Sequence, residues 1–155
     1  MTTDPDPPAA LALARRFFAL LPHSAVLGLE PLAVDAGGVQ VRLPWRAELV
    51  GNPDTEVIHG GVITTLVDQT SGAAVLAALG GPRAIATLDL RIDHLRPALP
   101  RREVLAAAHC YRLTRQIAFV RCDVHQGEAE RPVATSMSTF MRLEGGGPSL
   151  VEGVG

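Results

Sequence analysis

The hydrophobic pattern of the chain changes from helical spacing to sustained alternation close to residue 80. Before that point apolar residues recur at helical spacing, over residues 9–21 and then more densely over residues 59–79. After it, apolar and polar residues alternate. In residues 84–95 the even positions Ala86, Leu88, Leu90 and Ile92 are apolar and the odd positions are polar. This alternation predicts a half-buried strand whose even positions face the core.

Further strands are predicted at residues 38–45, 103–113, 117–125 and 132–142, the last three joined by hairpins. The dipeptide Gly80-Gly81 followed by Pro82 ends the long helix. The predicted order is a leading helix, one strand, one long helix and four strands. That order indicates an α+β fold, an antiparallel sheet packed around one central helix. Four or five strands leave an edge strand and some apolar surface exposed, so we expect self-association.

Length and composition suit one globular domain. The chain has 155 residues, 47% hydrophobic and 19% charged, with a net charge of −2. We expect a disordered N-terminus at residues 1–8, a single domain at 9–143 and a flexible tail at 144–155. The sequence has no cluster of basic residues typical of nucleic-acid binding, so no nucleic-acid partner is expected. The longest apolar stretch, residues 62–79, contains too many polar residues for a membrane span. Two cysteines, Cys110 and Cys122, without a secretory signal favour free thiols in the cytoplasm.

One carboxylate interrupts the most apolar segment of the chain. Asp68 lies near the middle of the predicted helix, where burying a charge without a partner is costly. Two interpretations remain open from the residues alone: a functional carboxylate, or a helix-surface acid with a structural hydrogen bond. The preceding Gly60-Gly61 is equally ambiguous. It leaves room for a ligand to approach the helix N-terminus, but it also suits a tight turn.

Several of these residues form a pattern that resembles a known family. The pattern comprises Asn52, then His59-Gly60-Gly61-Val62, then Leu66 and Asp68, Gly72, and a strand ending in His94-Leu95-Arg96-Pro97. It is similar to the signature of hotdog-fold acyl-CoA thioesterases of the phenylacetate-pathway (PaaI-like) type. The resemblance covers about residues 10–143. It implies a curved antiparallel sheet around one long helix and an enzyme that cleaves acyl-CoA to a free acid and CoA.

The resemblance also implies roles for particular residues. Asp68 would be the general base or nucleophile, and the backbone N–H of Gly61 would form the oxyanion hole beside Gly60. Asn52 would orient water or the carbonyl, and His59 would hold the loop and contact the thioester. Thr87 matches a substrate-binding position near the catalytic carboxylate. Without the family, Asn52 is also an ordinary Asn-Pro turn residue and Thr87 an ordinary outward strand residue.

Helix geometry adds a requirement for a second chain. His59 and Asp68 are nine residues apart, which on one helix is about 13.5 Å of rise and about 180° of rotation. They cannot reach one carbonyl within a single subunit. If both act, one of them has to come from a partner, as the family implies. A homodimer is therefore the smallest assembly expected, and the resemblance also implies a dimer-of-dimers tetramer.

The hairpin at residues 111–116 resembles the family's arginine-containing turn near the CoA phosphates. Arg112 and Arg115 would then bind substrate, since guanidinium groups suit phosphate recognition, although both could instead be solvated turn residues. Thr114 stands where the family usually has glycine. Widely spaced histidines offer no paired metal-ligand motif, and no cofactor is expected beyond the CoA thioester substrate. The alternative function is a non-catalytic protein that binds acyl-CoA or a small aromatic ligand on the same scaffold.

Overall fold

The computed structural model of the protein describes residues 7–36 and 38–143. Its helices are α1 (Pro7–Leu20), α2 (Pro22–Leu27) and α3 (Gly60–Ala78). Its strands are β1 (Glu30–Val34), β2 (Gly38–Leu43), β3 (Val50–Asn52), β4 (Val57–Ile58), β5 (Ile85–His94), β6 (Val104–Leu113), β7 (Ile117–His125) and β8 (Ala134–Arg142). Helix α1 therefore begins two residues before its predicted start. The remainder of the N-terminus expected to be disordered, residues 1–6, and the expected flexible tail, 144–155, lie outside the described residues.

Six strands form one antiparallel sheet in the order β1-β2-β6-β7-β8-β5. Helix α3 packs on this sheet, so the predicted α+β architecture is confirmed. Strand β1 was not predicted. It carries Pro31, which cannot donate a ladder hydrogen bond, and its register breaks between Pro31 and Ala33. Such a strand is tolerated because it lies at the sheet edge. The segment between β2 and α3 contains the short antiparallel pair β3 and β4.

The prediction that the even positions of β5 all face the core is wrong for the first half of the strand. The pairing of β5 with β8 shifts register between Thr87 and Asp89, so Leu88 is a bulge. Leu90 and Ile92 pack on the core as predicted, whereas Ala86 is exposed and Leu88 is 50% exposed. An extra residue reverses which positions face inward, and the Thr87 side chain therefore points towards α3.

The core lies between α3 and the sheet. On α3 the side chains of Leu66, Val67, Ala74 and Val75 are fully buried, and they meet buried residues of β2, β6 and β7. This helix is apolar along the face that covers the sheet, as the dense hydrophobic pattern predicts. No helix within the described residues is long and apolar enough to cross a membrane.

Truncating a side chain in this core should destabilise the protein strongly. Leu66 is 0% exposed, so Leu66→Ala should lower the free energy of unfolding by about 3 kcal/mol through lost burial and a residual cavity. Leu13→Ala is a matched control, because Leu13 on α1 is 45% exposed, and it should cost less than about 1 kcal/mol. Urea denaturation monitored by circular dichroism measures both. Equal losses for the two variants would contradict this assignment of the core.

Candidate active site

The N-terminus of α3 is capped by the side chain that precedes it. His59 is the N-cap residue, and its Nδ1 accepts a hydrogen bond of 2.9 Å from the backbone N–H of Gly61. A Cβ on residue 61 would lie 3.0 Å from that Nδ1, so the lack of a side chain at Gly61 lets the imidazole approach. The N–H expected to face a substrate oxygen is therefore occupied by His59 in this structure. The capping nitrogen must be unprotonated to accept this bond.

The loop before α3 holds His59 through close backbone contact. A Cβ on residue 51 would lie 2.8 Å from the Cα of His59, so only glycine fits at Gly51 without moving the backbone. The His59 N–H also donates to the carbonyl of Leu49, at 2.9 Å. Sequence reasoning did not identify Gly51. Its only signal was a glycine in a polar loop, which many turns share.

An ion pair fastens the same loop to the segment after β5. Arg101 donates from Nε and Nη2 to the two carboxylate oxygens of Glu56, at 3.0 and 2.9 Å. Both residues have positive φ, 55° and 58°, which is uncommon for side chains of this size. Hydrogen bonding to Arg101 lowers the pKa of the Glu56 carboxyl. The Trp45 indole N–H donates to the Glu56 carbonyl at 3.2 Å, which further fixes the turn.

Asn52 uses its side chain within its own turn. Its Oδ1 accepts from the N–H of Asp54 at 3.0 Å, and its carbonyl accepts from the N–H of Glu56 at 2.8 Å. This is the behaviour of an Asn-Pro turn residue, the alternative that the sequence left open. The hydrogen bonds of Asn52 stay within its own turn, whereas His59 and Gly61 bond each other.

Asp68 lies half-buried in the middle of α3. Its Oδ1 accepts a hydrogen bond of 2.9 Å from the Thr87 hydroxyl. The pair forms because the bulge at Leu88 turns Thr87 towards the helix. The structure therefore brings together two residues that the sequence separates by nineteen positions. One oxygen of the carboxylate is fixed by this bond, and the other has no protein donor among the described residues.

The helix N-terminus and Asp68 do not meet within one chain. Gly61 and Asp68 are seven residues apart, close to two turns, so they share a face but lie about 10.5 Å apart along the axis. One carbonyl group cannot accept a hydrogen bond from the first and be attacked at the second across that distance. Gly61 and Asp68 can therefore act on one thioester only if they come from different subunits, as inferred from the sequence for His59 and Asp68.

A second histidine stands beside the helix N-terminus. A Cβ on Gly60 would lie 3.6 Å from Cε1 and 3.8 Å from Nε2 of His94, the last residue of β5. The strand therefore joins the two parts of the candidate site, with Thr87 beside Asp68 near one end and His94 beside Gly60 at the other. Its outer edge has no strand partner within residues 7–36 and 38–143. The sequence indicated His94 only as the residue before the Arg-Pro corner.

The two arginines predicted to bind substrate lie in different surroundings. The guanidinium carbon of Arg112 lies 6.0 Å from the centre of the Phe119 ring, an aromatic contact. Arg115 lines a concavity of about 150 Å³ together with Arg83, Ala84, Arg142 and Leu143. Thr114 replaces glycine without difficulty, because no residue of the 114–117 turn has positive φ. Its hydroxyl closes the turn by accepting from the Ile117 N–H at 2.9 Å.

Both cysteines are free thiols on strands, as predicted. Burial raises the pKa of Cys122 to about 12, and burial also raises the pKa of Cys110. Neither thiol is ionised near neutral pH, so neither is an activated nucleophile. Among the described residues no group of three or more potential metal-binding side chains comes together.

Comparison with known proteins gives one consistent family. A family model described as the thioesterase superfamily matches residues 55–133. A protein of Pseudomonas aeruginosa with a crystal structure is 42% identical, with a TM-score of 0.79 over 86% of this chain and 99% of that one. The medium/long-chain acyl-CoA thioesterase YigI of Salmonella typhimurium is 28% identical over 146 residues, covering 85% of this chain and 93% of its own.

A structure of a mutant of the phenylacetic acid degradation protein PaaI from Thermus thermophilus is also similar. It is 29% identical, with a TM-score of 0.69 over 79% of this chain and 100% of that one. With the thioesterase superfamily match, these structures confirm the hotdog fold for the arrangement of α3 and the antiparallel sheet.

Removing the cap at His59 should destabilise the start of α3. His59→Ala leaves the Gly61 N–H without its acceptor and should lower the free energy of unfolding by about 1 kcal/mol. His59→Asn should recover most of this loss, since asparagine is a strong N-cap residue. His23→Ala, on the exposed surface of α2, is the control and should change stability by less than about 0.5 kcal/mol. Thermal unfolding would refute the cap if His59→Ala and His23→Ala behaved alike.

Proposed function

The chain belongs to the thioesterase superfamily and is a thioester hydrolase, and from that premise we propose that it cleaves acyl-CoA to a free acid and CoA. In this proposal Asp68 of one subunit and the Gly61 N–H of a second subunit act on the same thioester. The observation that carries it is the Asp68 carboxylate, half-buried on a helix face and hydrogen-bonded by Thr87 on a strand with an unpartnered edge within the described chain.

The unpartnered edge of β5 supports the involvement of a second copy. Antiparallel pairing of two copies of β5 about a two-fold axis near the strand centre would bring the Thr87 region of one beside the His94 end of the other. These residues are seven positions apart, about 23 Å in an extended strand. Asp68 of one subunit would then lie near Gly60 and Gly61 of its partner. The same pairing would cover the exposed Leu88 and remove an open edge.

The chemistry follows from the two contributions. Asp68 takes a proton from water while the water oxygen attacks the thioester carbonyl, or its carboxylate oxygen attacks directly and water then cleaves the resulting anhydride. In either route negative charge develops on the carbonyl oxygen. The partner's helix N-terminus, with the Gly61 N–H, would stabilise that charge. The C–S bond then breaks and CoA leaves as the thiolate.

The cap at His59 imposes a condition on this step. In the free structure the Gly61 N–H donates to His59 Nδ1, so a substrate oxygen has to displace the imidazole or share the N–H with it. Displacement would leave His59 beside the bound thioester. His59 then fits a positioning role better than that of a base, and Asn52 would act by holding the preceding turn or by orienting water.

The finer assignment within the superfamily is also a proposal. His59-Gly60-Gly61, Asp68 and the Arg96-Pro97 corner support the PaaI-like group, and the PaaI structure from Thermus thermophilus is 29% identical. The relative named as a medium/long-chain acyl-CoA thioesterase supports testing medium- and long-chain substrates first. A homodimer is the smallest assembly that the proposal requires, and a tetramer of two such dimers also satisfies it.

The decisive test is Asp68→Asn. This variant keeps the side-chain shape and a hydrogen bond with Thr87 but removes the carboxylate that would act as base. We therefore expect kcat for acyl-CoA to fall at least about a hundredfold, with little change in KM. Asp123→Asn is the matched control, because Asp123 is also half-buried and accepts a 2.7 Å hydrogen bond from a threonine, Thr135. Release of CoA thiol is followed with a thiol-reactive dye.

The outcomes separate the alternatives. Unchanged kcat in Asp68→Asn would remove Asp68 from the mechanism. Binding of acyl-CoA by the wild type without any turnover would instead support a non-catalytic binding protein. A single turnover in ¹⁸O-labelled water tests for the nucleophilic route, because ¹⁸O enters the Asp68 carboxylate only when an anhydride forms and water attacks its aspartyl carbonyl. Label in the product acid alone is compatible with both routes.

A further inference from the structure

The two residues of the Glu56–Arg101 ion pair share an unusual backbone conformation. Glu56 has a φ of 55° and Arg101 a φ of 58°, and among the described residues only glycines share positive φ with them. Glu56 ends the turn before β4, and Arg101 lies in a turn between β5 and β6. The ion pair therefore joins two left-handed turn residues that are 45 positions apart in the sequence.

Stability alone does not account for side chains at these two positions. The left-handed region costs free energy for any residue with a Cβ, whereas glycine enters it freely. The two side chains are 71% and 38% exposed, so water screens the ion pair and its contribution to stability is small. Glycine at either position should therefore leave the folded state as stable or more stable. Backbone strain that persists at such a contact points to a function beyond stability.

The segments on both sides of the ion pair are each hydrogen-bonded to the rest of the fold. The Glu56 N–H donates to the Asn52 carbonyl at 2.8 Å, and the Glu56 carbonyl accepts from the Trp45 indole N–H at 3.2 Å. Two residues before Arg101, the Leu99 N–H donates to the side-chain oxygen of the buried Gln126 at 2.7 Å. The Gln126 amide donates back to the Leu99 carbonyl at 3.1 Å. A change in the ion pair would thus alter how two ordered segments sit against each other.

The ion pair lies next to the part of α3 that the proposed reaction uses. Strand β4 directly follows Glu56 and leads to His59, whose imidazole accepts from the Gly61 N–H. Arg101 belongs to the segment that continues from β5, and the last residue of β5, His94, lies beside the start of α3. Strand β5 and the segment after it therefore contact the loop and the helix N-terminus at two separate points.

We propose that Glu56 and Arg101 are positioning residues, which fix the helix N-terminus at Gly61 relative to β5. This inference rests on the proposed function, in which two copies of β5 pair and bring Asp68 of the second subunit to that N-terminus. A donor that meets a base from another chain needs a fixed position relative to the strand that joins the two chains. A small displacement of the donor would misalign it with the reacting carbonyl, so the ion pair should act on kcat rather than on KM.

The test replaces each residue by glycine, which accepts positive φ and so removes the ion pair without adding strain. In Glu56→Gly and in Arg101→Gly, we expect kcat for acyl-CoA to fall roughly tenfold, with KM unchanged and the melting temperature unchanged or raised. The double variant should lose no more activity than either single variant, because both substitutions remove the same contact.

Two further variants separate the ion pair from other effects of glycine. Glu56→Arg/Arg101→Glu exchanges the partners and should restore most of kcat, since the pair forms again in the opposite sense. Glu128→Gly is the matched control, because it breaks another exposed ion pair, with Arg131, in the loop between β7 and β8. That control should leave both kcat and KM unchanged.

Hydrogen exchange followed by mass spectrometry gives a readout that does not need turnover. In both glycine variants, exchange should quicken in the peptide that covers residues 57–62, stay unchanged in the middle of α3, and return to the wild-type rate in the exchanged pair. A wild type that cleaves no acyl-CoA but shows this pattern would refute the proposed hydrolysis and leave the positioning of the helix N-terminus standing. Unchanged exchange at residues 57–62 would overturn the proposal. In an active protein, unchanged kcat in both glycine variants, or losses that multiply in the double variant, would also overturn it.

Discussion

The hydrogen bond between Thr87 and Asp68 is the interaction on which the candidate site depends. A carboxylate in an apolar helix needs a donor or water, and α3 offers neither on the face that covers the sheet. Asp68 instead lies on the half-exposed face, and the bulge at Leu88 turns Thr87 inward to meet it. The same bulge turns Ala86 and Leu88 outward at an open sheet edge. The bulge at Leu88 therefore has two effects: it orients the Asp68 carboxylate, and it exposes apolar side chains on an edge strand that has no pairing partner within the described residues.

The two ends of β5 present complementary chemistry. Near its start a fixed carboxylate faces an accessible surface, and at its end His94 adjoins a helix N-terminus whose N–H groups favour negative charge. Helix geometry keeps these ends about 10 Å or more apart within a chain. The Glu56–Arg101 ion pair and the tight approach of Gly51 hold the loop that carries the His59 cap. Each chain thus contains a helix N-terminus and a hydrogen-bonded carboxylate that lie too far apart to contact the same thioester.

Much of this arrangement could be predicted from the sequence. The period change near residue 80, the apolar helix and the alternating strands were sufficient for the α+β architecture, and the motif around His59 and Asp68 indicated the superfamily. The rest depends on three-dimensional pairing. Alternation alone assigned Thr87 to the wrong face, because a bulge leaves no clear mark in the residue pattern. Strand β1 was not predicted because it contains Pro31, and proline is uncommon within strands. The concavity at Arg115 also depends on the strand order, which alone brings Arg83 and Arg142 beside that residue.

Complementation between two inactive chains tests the shared active site most directly. Asp68→Asn removes the proposed base. Gly61→Pro removes the donating N–H in the first turn of α3, where no intrahelical hydrogen bond is lost, although its ring has to displace the His59 imidazole. Random mixing of the two, after unfolding and refolding together, makes half of the dimers mixed, and each mixed dimer carries one intact site of two. We expect recovery of about a quarter of wild-type acyl-CoA hydrolysis from two variants that are inactive alone. Mixed dimers that form, verified by differently tagged chains, but recover no activity would contradict it.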